Sequence, residues 1–355
     1  MLGNSPSGLY DFRGALIQEL VSQGNEVIVL SPKGLKYDDI PSLGAKVIET
    51  PVDRRGVNPT KDIKLERLYT KIFKSEKPDL IITYTIKPNV YGGYAAAKLK
   101  IPYVANVTGL GTTFQNEGAL KRIVTRMYRT SLRKAKTVFF ENIENRDVFV
   151  TNHICERNKT CVLNGAGVDL ERFELAGYPD GDTVRFLFIG RVMKEKGVNE
   201  LFGAMERLTK EGVDCTLDIL GYYEDDFKDK IDAYEKAGWL HFHGYQADVR
   251  PFIEQSHCFV LPSWHEGMAN TNLECAAMGR PVITTNIHGC LEAVEDGVTG
   301  YLCEKHDIDD LFQKMKNFIS LSYEERKSMG LAGRKRMEEI FDKCKVVEET
   351  IIRLF

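Results

Sequence analysis

No apolar run in the 355-residue chain approaches the roughly 18 residues of a membrane span, and no signal peptide is expected. The eight cysteines (155, 161, 215, 258, 275, 290, 303 and 344) are scattered, with no CxxC and no clustering with histidine. That argues against a disulfide framework and a zinc site, and for reduced thiols in a cytoplasm. The Asp-x-Asp spacings, "DGD" at 180–182 and "DID" at 307–309, lie in a glycine-rich stretch and before a helical pattern, and no His/Asp cluster suited to a divalent ion is apparent, so no metal or other cofactor is expected. Internal repeats and low-complexity tracts are missing too. So is the dinucleotide fingerprint: the opening loop reads "GNSPSG" instead of GxGxxG, and the second strand ends at Ser31 instead of an acid. A nicotinamide oxidoreductase is therefore disfavoured. No nucleic-acid recognition motif stands out.

What remains is a soluble, globular composition, 43% hydrophobic and 28% charged, long enough for two domains. The net charge of −3 hides an imbalance. Residues 1–167 hold 25 Lys+Arg against 16 Asp+Glu, and the rest hold 23 against 35. A split near the midpoint points to two domains facing different surroundings. Short apolar runs alternate with amphipathic helical patterns throughout. They begin with "NEVIVLS", "AKVIET", "PDLIITYT", "PYVANVT", "KTVFFEN" and "KTCVLN". The series restarts with "VRFLFIG", "CTLDILG", "WLHFHG", "CFVLPS", "RPVITT" and "GYLCE". Near-continuous β-branched strands between helices imply parallel sheets covered on both faces. The expectation is two doubly wound α/β domains, with "GYPDGDT" at 177–183 as the linker. Such sheets bind ligands beyond the carboxyl ends of their strands. Only Met1 and Leu2 precede the opening loop, so the first strand is expected to be unusually short, or to begin upstream.

The second half carries the chemistry. "FIGRVMKEKGVNEL" places Arg191 and Lys196 in the loop leaving its first strand. There a forked donor and a point charge can neutralise a diphosphate. "CFVLPSWHEGMANTNLE" then reads strand, loop, helix, with backbone amides over residues 267–272 at a helix start that favours phosphate. Glu274 in that helix suits a ribose diol, and Glu266 on the loop suits sugar hydroxyls. Two carboxylates for hydroxyls, with cations and a helix end for phosphates, describe a nucleotide-sugar site.

Glu266 and Glu274 together form an E-x7-E motif, and "GRVMKEKG" resembles an Arg/Lys diphosphate loop. With "HGYQADVRPFIEQSHCFVLPSWHEGMANTNLECAAMGRPVITTNIHGCLEAVEDGVTGYL", the chain resembles the retaining GT-B glycosyltransferases of family 4 over essentially its whole length. The segment "TYTIKPNVYGGYAAAKLKIPYVANVTGLG" is similar to members that build bacterial surface polysaccharides, nearest to those adding N-acetylhexosamine, GalNAc first, to polyprenyl-diphosphate-linked sugars. The resemblance implies a GT-B fold, two Rossmann-like domains facing a central cleft. The expected parts are an acceptor domain at 1–167, a donor domain at 168–338, and a carboxyl-terminal helix at 339–355 crossing back. Arg191 and Lys196 would bind the diphosphate of a UDP-sugar, Glu274 its ribose and Glu266 its sugar. Met268, Ala269 and Asn270 would present backbone amides. Gly8 would let the first loop approach the diphosphate, and Gly244 and Tyr245 would line the base. Arg13 and Thr108 are candidate contacts to acceptor or sugar. Thr108 stands where several members place a histidine, and a threonine is no general base near neutral pH. Retention is then attributed to same-face attack, in which the leaving diphosphate takes the proton and no enzymic base or metal is needed.

Other histidines are weaker candidates. His241 and His243 read as structural, while His265 and His288 are possible sugar-side residues. Between Glu117 and Glu141 lie seven cations (121, 122, 126, 129, 133, 134 and 136) and no acid, with Leu120, Ile123, Val124, Met127, Tyr128 and Leu132 at helical spacing. An amphipathic helix with a one-signed polar face suits anionic headgroups, so residues 121–136 are expected to dock peripherally on the cytoplasmic side of the plasma membrane. A GT-B nucleotide-sugar epimerase or hydrolase, and a non-catalytic nucleotide-sugar-binding subunit, remain as alternatives. The intact E-x7-E and Arg/Lys loop argue against both.

Overall fold

The computed structural model describes residues 1–52, 58–111, 114 and 118–355. The chain forms two compact units, one of Met1–Ala166 with Lys343–Phe355, the other of Gly167–Asp342.

The first unit runs α1 (Pro6–Ser22), β1 (Ile28–Ser31), β2 (Lys46–Glu49), α2 (Pro59–Glu76), β3 (Ile81–Tyr84) and α3 (Gly93–Leu99). It continues with β4 (Tyr103–Val107), α4 (Ala119–Leu132), β5 (Thr137–Phe140), α5 (Ile143–Thr151) and β6 (Thr160–Val162). All pairings are parallel, β1 with β2 and β3-β4-β5-β6 in order. Leu2 bridges the two groups: its amide donates to Ile82 O (2.8 Å) and its carbonyl accepts from Tyr84 N (2.9 Å). On its other side Gly3 N donates to Leu30 O (3.0 Å). Residues 1–3 thus fill the strand position between β1 and β3. β3 and β4 are buried at every position, which is why their apolar runs are unbroken by charge.

The second unit contains β7 (Val184–Ile189), α6 (Val198–Lys210), β8 (Cys215–Leu220), α7 (Lys228–Lys236), β9 (Leu240–Gly244) and α8 (Arg250–Gln255). Then follow β10 (Cys258–Leu261), α9 (Asn270–Ala277), β11 (Val282–Thr285), β12 (Gly300–Cys303), α10 (Ile308–Ser320) and α11 (Tyr323–Ile340). Its six strands are parallel in the order β12-β11-β10-β7-β8-β9. The core around Phe186, Phe188, Phe259 and Phe318 is fully enclosed, each such side chain contributing about 1.5–3 kcal/mol by leaving water. The strand order reverses direction between β7 and β10, which lie side by side. That is the switch point of a doubly wound sheet, where the loops leaving two neighbouring strands part and open a crevice.

Two expected boundaries move. Residue 338 falls inside α11, and Phe341 is buried in the second unit's core with its carbonyl accepting from Val168 N (2.7 Å). The returning segment therefore begins at Lys343, as α12 (Lys343–Leu354), which packs on α1. Nor is "GYPDGDT" the crossover between units. Tyr178 donates its hydroxyl to His257 O (2.9 Å), and Gly177 O accepts from the buried Arg280 guanidinium (2.6 Å). These contacts stitch the segment into the second unit, and the chain passes between units at Ala166 and Gly167.

The basic stretch forms α4, but its apolar residues are divided. Tyr128 and Leu132 are buried, whereas Leu120 and Ile123 are 44% and 56% exposed. Two of its cations are committed to main-chain carbonyls: Arg129 to Asn152 and His153, and Lys136 to Leu354 and Phe355. Glu117, which bounds the stretch, lies outside the described residues. No helix among the described residues is long and apolar enough to cross a membrane.

Candidate functional site

The crevice of the second unit is built by two loops that touch. The loop after β7 turns at Gly197, whose φ of 72° opens α6. A Cβ there would fall 2.0 Å from Pro262 O on the loop after β10, so only glycine allows this approach. Trp264 adds two ties: its amide donates to Glu195 O (2.9 Å), and its indole N–H to the buried Glu200 (3.1 Å). On the far side, Gly289 of the loop after β11 lies against Glu266. A Cβ on Gly289 would fall 2.6 Å from Glu266 O, and its carbonyl accepts from Ala269 N (2.7 Å). Asn272 anchors α9 from within, donating to Thr284 Oγ1 (3.2 Å), which donates onward to Leu261 O (2.8 Å).

These contacts bring Lys196 and Glu266 together. The ammonium pairs with Glu266 Oε1, which also accepts from Ser263 Oγ (2.7 Å). The pair is mostly shielded, at 19% and 14% exposure. Arg191, on the same loop as Lys196, lies 3.4 Å from Glu224 Oε2 after β8. Asp225 accepts from Lys194 N (2.8 Å) and holds that loop from below. Both cations assigned to a diphosphate are therefore paired with carboxylates, and an incoming anion must exchange with them. Glu274 sits half-buried in the second turn of α9. His265 is half-buried, and desolvation lowers its pKa, keeping the imidazole neutral near pH 7. His288 pairs with Glu292 (2.7 Å) beside Gly289, so the β11 loop does border the Glu266 loop.

The amides divide. α9 opens at Asn270 with Ala269 as its cap and no side chain capping it, so its first-turn N–H groups lack that competitor. The Ala269 amide, expected to face a ligand, is spent on Gly289 O. Met268 is buried, and Asn270 Oδ1 is buried with no hydrogen-bond partner among the described residues. Such an unpaired carbonyl costs about 1–3 kcal/mol and favours a donor that arrives with a ligand. Gly244 ends β9 on the sheet's edge and Tyr245 follows it, 56% exposed. His243 pairs with Asp218 (2.6 Å) and packs on Phe252, a structural arrangement, while His241 is exposed.

In the first unit, Gly8 is not in the loop. α1 begins at Pro6, and the Gly8 amide donates to the Ser5 cap (3.2 Å) because proline at the first position starts the helix early. Arg13 is bound to Glu141 (2.6 Å), both 11% exposed, with its guanidinium over the Tyr84 ring. Burial raises the Tyr84 pKa to about 12. Thr108 follows β4, half-buried. Glu224, Asp225, Ser263 and Gly289 escaped the sequence reading. Only Gly289 left a visible trace, a lone glycine within "NIHGCLEAV".

Comparison with known proteins gives the family and the fold. Residues 176–336 match the family model described as glycosyl transferases group 1, and residues 6–142 match glycosyl transferase 4-like. The N,N'-diacetylbacillosaminyl-diphospho-undecaprenol alpha-1,3-N-acetylgalactosaminyltransferase of Campylobacter jejuni is 26% identical, over 92% of this chain and 89% of its own. The capsular polysaccharide biosynthesis glycosyltransferase CapM of Staphylococcus aureus is 24% identical, over 94% and 90%. Among solved structures, Anabaena HepE in complex with UDP and glucose superposes with a TM-score of 0.81 at 16% identity, covering 99% of this chain and 98% of that one. A glycosyltransferase from Rickettsia africae gives 0.79 at 18%, covering 99% and 96%. The two parallel α/β units are those of the GT-B fold, and the chain belongs to the group 1, family 4-like glycosyltransferases.

Proposed function

We propose that this enzyme moves an N-acetylhexosamine, GalNAc first, from a UDP-sugar to a sugar on polyprenyl diphosphate, with retention at the transferred carbon. The observation that carries the reading is the meeting of Lys196 and Glu266 at the switch point of the donor sheet. Arg191 and Lys196 would take the diphosphate and Glu274 the ribose. Glu266, once Lys196 leaves it, would take the sugar hydroxyls. Support for a lipid-linked acceptor comes from relatives named for it, the Campylobacter enzyme and an Escherichia coli UDP-Gal:alpha-D-GlcNAc-diphosphoundecaprenol alpha-1,3-galactosyltransferase, 26% identical over 81% of this chain. The matched families are transferases, which leaves no observation favouring an epimerase, a hydrolase or a silent binding subunit.

The chemistry needs a leaving UDP whose charge is neutralised. Two fixed cations and the amino end of α9 supply that without a metal ion. The departing diphosphate accepts the acceptor's hydroxyl proton as the new bond forms on the same face, so Thr108 need not act as a base. Docking falls to the exposed front of α4, where Leu120 and Ile123 stand among Lys121, Arg122 and Arg126. Apolar insertion plus positive charge suits the anionic cytoplasmic face of the plasma membrane.

The test is a donor screen by thermal shift with UDP-GalNAc, UDP-GlcNAc, UDP-Glc, UDP-Gal and GDP-Man. Radiolabelled transfer to an undecaprenyl-diphosphate sugar follows, with linkage analysis. Stabilisation by GDP-Man alone, or hydrolysis without transfer, refutes the reading.

A further inference from the structure

A groove with a basic lining lies in the first unit, away from the loops that leave its strands. Where the chain enters β5 and β6, a groove of about 420 Å³ separates the last turn of α4 from the segment 153–159. Four cations line it, Arg129, Arg133, Arg157 and Lys159, against one carboxylate, Glu156. Buried Leu132 and Ile154 lie among them as an apolar floor.

Three of the four cations are already held in place. Arg129 donates Nε to His153 O (2.9 Å) and Nη2 to Asn152 O (2.8 Å), which leaves Nη1 to face a ligand. Arg157 donates Nη2 to Asp147 (2.9 Å), and Lys159 reaches Arg133 O (3.1 Å). Arg133 makes no ion pair among the described residues. Guanidinium groups fixed by one edge lose little further freedom on binding, and their planar forks match phosphate oxygens. The helix ends that would repel an anion are the ones these donors cover, the carbonyls closing α4 and α5. Even with Asp147 counted beside Glu156, positive charge is in excess.

The groove also continues a surface. Arg122, Arg126, Arg129 and Arg133 are spaced four, three and four residues apart, which places them on one face of α4 leading to its mouth. At the other end of that helix stand the exposed Leu120 and Ile123. We propose that this groove receives the phosphate of a phospholipid headgroup, the cations around the phosphate and the Leu132–Ile154 floor against the glycerol and first acyl carbons. This rests on the membrane docking proposed above and turns a diffuse attraction into a defined headgroup site. A free inorganic anion would use the cations but leave the apolar floor unsatisfied.

The probe is dihexanoyl phosphatidic acid, kept monomeric so that no surface is present, titrated calorimetrically into the whole protein. Inorganic phosphate and dihexanoyl phosphatidylcholine serve as comparators. Phosphatidic acid should bind at least tenfold more tightly than either. Arg133→Glu with Arg157→Glu should weaken it tenfold or more, and the milder Arg133→Gln with Arg157→Gln should do so by several-fold in a chain of unchanged circular dichroism. Arg122→Glu with Arg126→Glu changes the same charge outside the groove and should stay within threefold. Equal losses in the two reversal pairs would reduce the effect to a general field. Phosphate or phosphatidylcholine binding as tightly as phosphatidic acid, or no binding by wild type, also overturns the site. UDP affinity and transfer to a water-soluble acceptor report on the other unit. They should persist in the groove variants, so failure of the transferase reading and failure of the groove are told apart.

Discussion

Replacing Glu266 by glutamine should tighten UDP while slowing transfer, an outcome that follows from the contact with Lys196. In the free protein that ammonium is held by the Glu266 carboxylate, with Ser263 adding a second hydrogen bond to the same oxygen. Binding a diphosphate there requires Lys196 to exchange partners. A hydrogen bond to a charged group contributes about 1.5–3 kcal/mol. Because the pair retains 19% and 14% exposure, roughly 1 kcal/mol is a fairer figure for what exchange costs. Glutamine keeps an acceptor for Ser263 but removes the charge, so UDP should bind about fivefold more tightly at 1.4 kcal/mol per factor of ten. Transfer should fall by two orders of magnitude or more, since the hydroxyl-binding carboxylate is gone. Glu274→Ala should do the opposite, weakening UDP by about tenfold through loss of a charged hydrogen bond to the ribose. Calorimetry with UDP and a radiolabelled transfer assay on both variants suffice. A tenfold loss of UDP affinity in Glu266→Gln, or near-normal transfer, refutes the exchange and the division of roles.

Arg191→Ala and Lys196→Ala should each lower transfer at least tenfold, measured as kcat/KM, because each removes a charged hydrogen bond to phosphate. Full activity in both would remove the diphosphate from this crevice. EDTA should leave the rate within about twofold, and a larger loss restored by Mg²⁺ would reveal a metal site. Reversing Arg122 and Arg126 to glutamate should release the protein from anionic vesicles in co-sedimentation at low salt, each cation there being worth about 1 kcal/mol. Equal pelleting of variant and wild type would make α4 an ordinary surface helix. His257 should confer acid sensitivity. Burial lowers its pKa from 6.5 to about 4, and its Nδ1 accepts from Arg185 N (3.1 Å). The folded state therefore resists a proton that the unfolded state binds, and stability present above pH 6.5 is lost as pH falls toward 4. Urea melts should lose about 2 kcal/mol from this source between pH 7 and 5. His257→Gln keeps an acceptor and should lack that loss; an identical pH profile in the variant would clear the histidine.

All twelve apolar runs form strands, most legibly β3, β4, β10 and β11, which are buried at every position and where a charge would meet a large desolvation cost. The E-x7-E spacing was equally legible: strand, loop and helix around Glu266 and Glu274 follow from local chemistry. Helix starts were less so. Gly8 looked like loop glycine, yet Ser5 and Pro6 cap and start α1 just before it. α4 read as one amphipathic stripe. Only packing on α3 and the Pro88–Gly92 turn separates its buried end, at Tyr128 and Leu132, from its exposed end, at Leu120 and Ile123.

Periodicity and motif spacing, which are properties of neighbours in the chain, determined the fold class, the E-x7-E helix and the two loop cations. Contacts between segments distant in the chain were decided by tertiary structure alone. Glu266 is paired with Lys196, seventy positions earlier, because β7 and β10 lie side by side at the sheet's switch point. Ala269 gives its amide to Gly289, and Gly177 is claimed by Arg280, for the same kind of reason. Hydrogen-bond partners of this sort are set by strand order, and strand order is chosen by how whole sheets bury their faces, which no local window of sequence encodes.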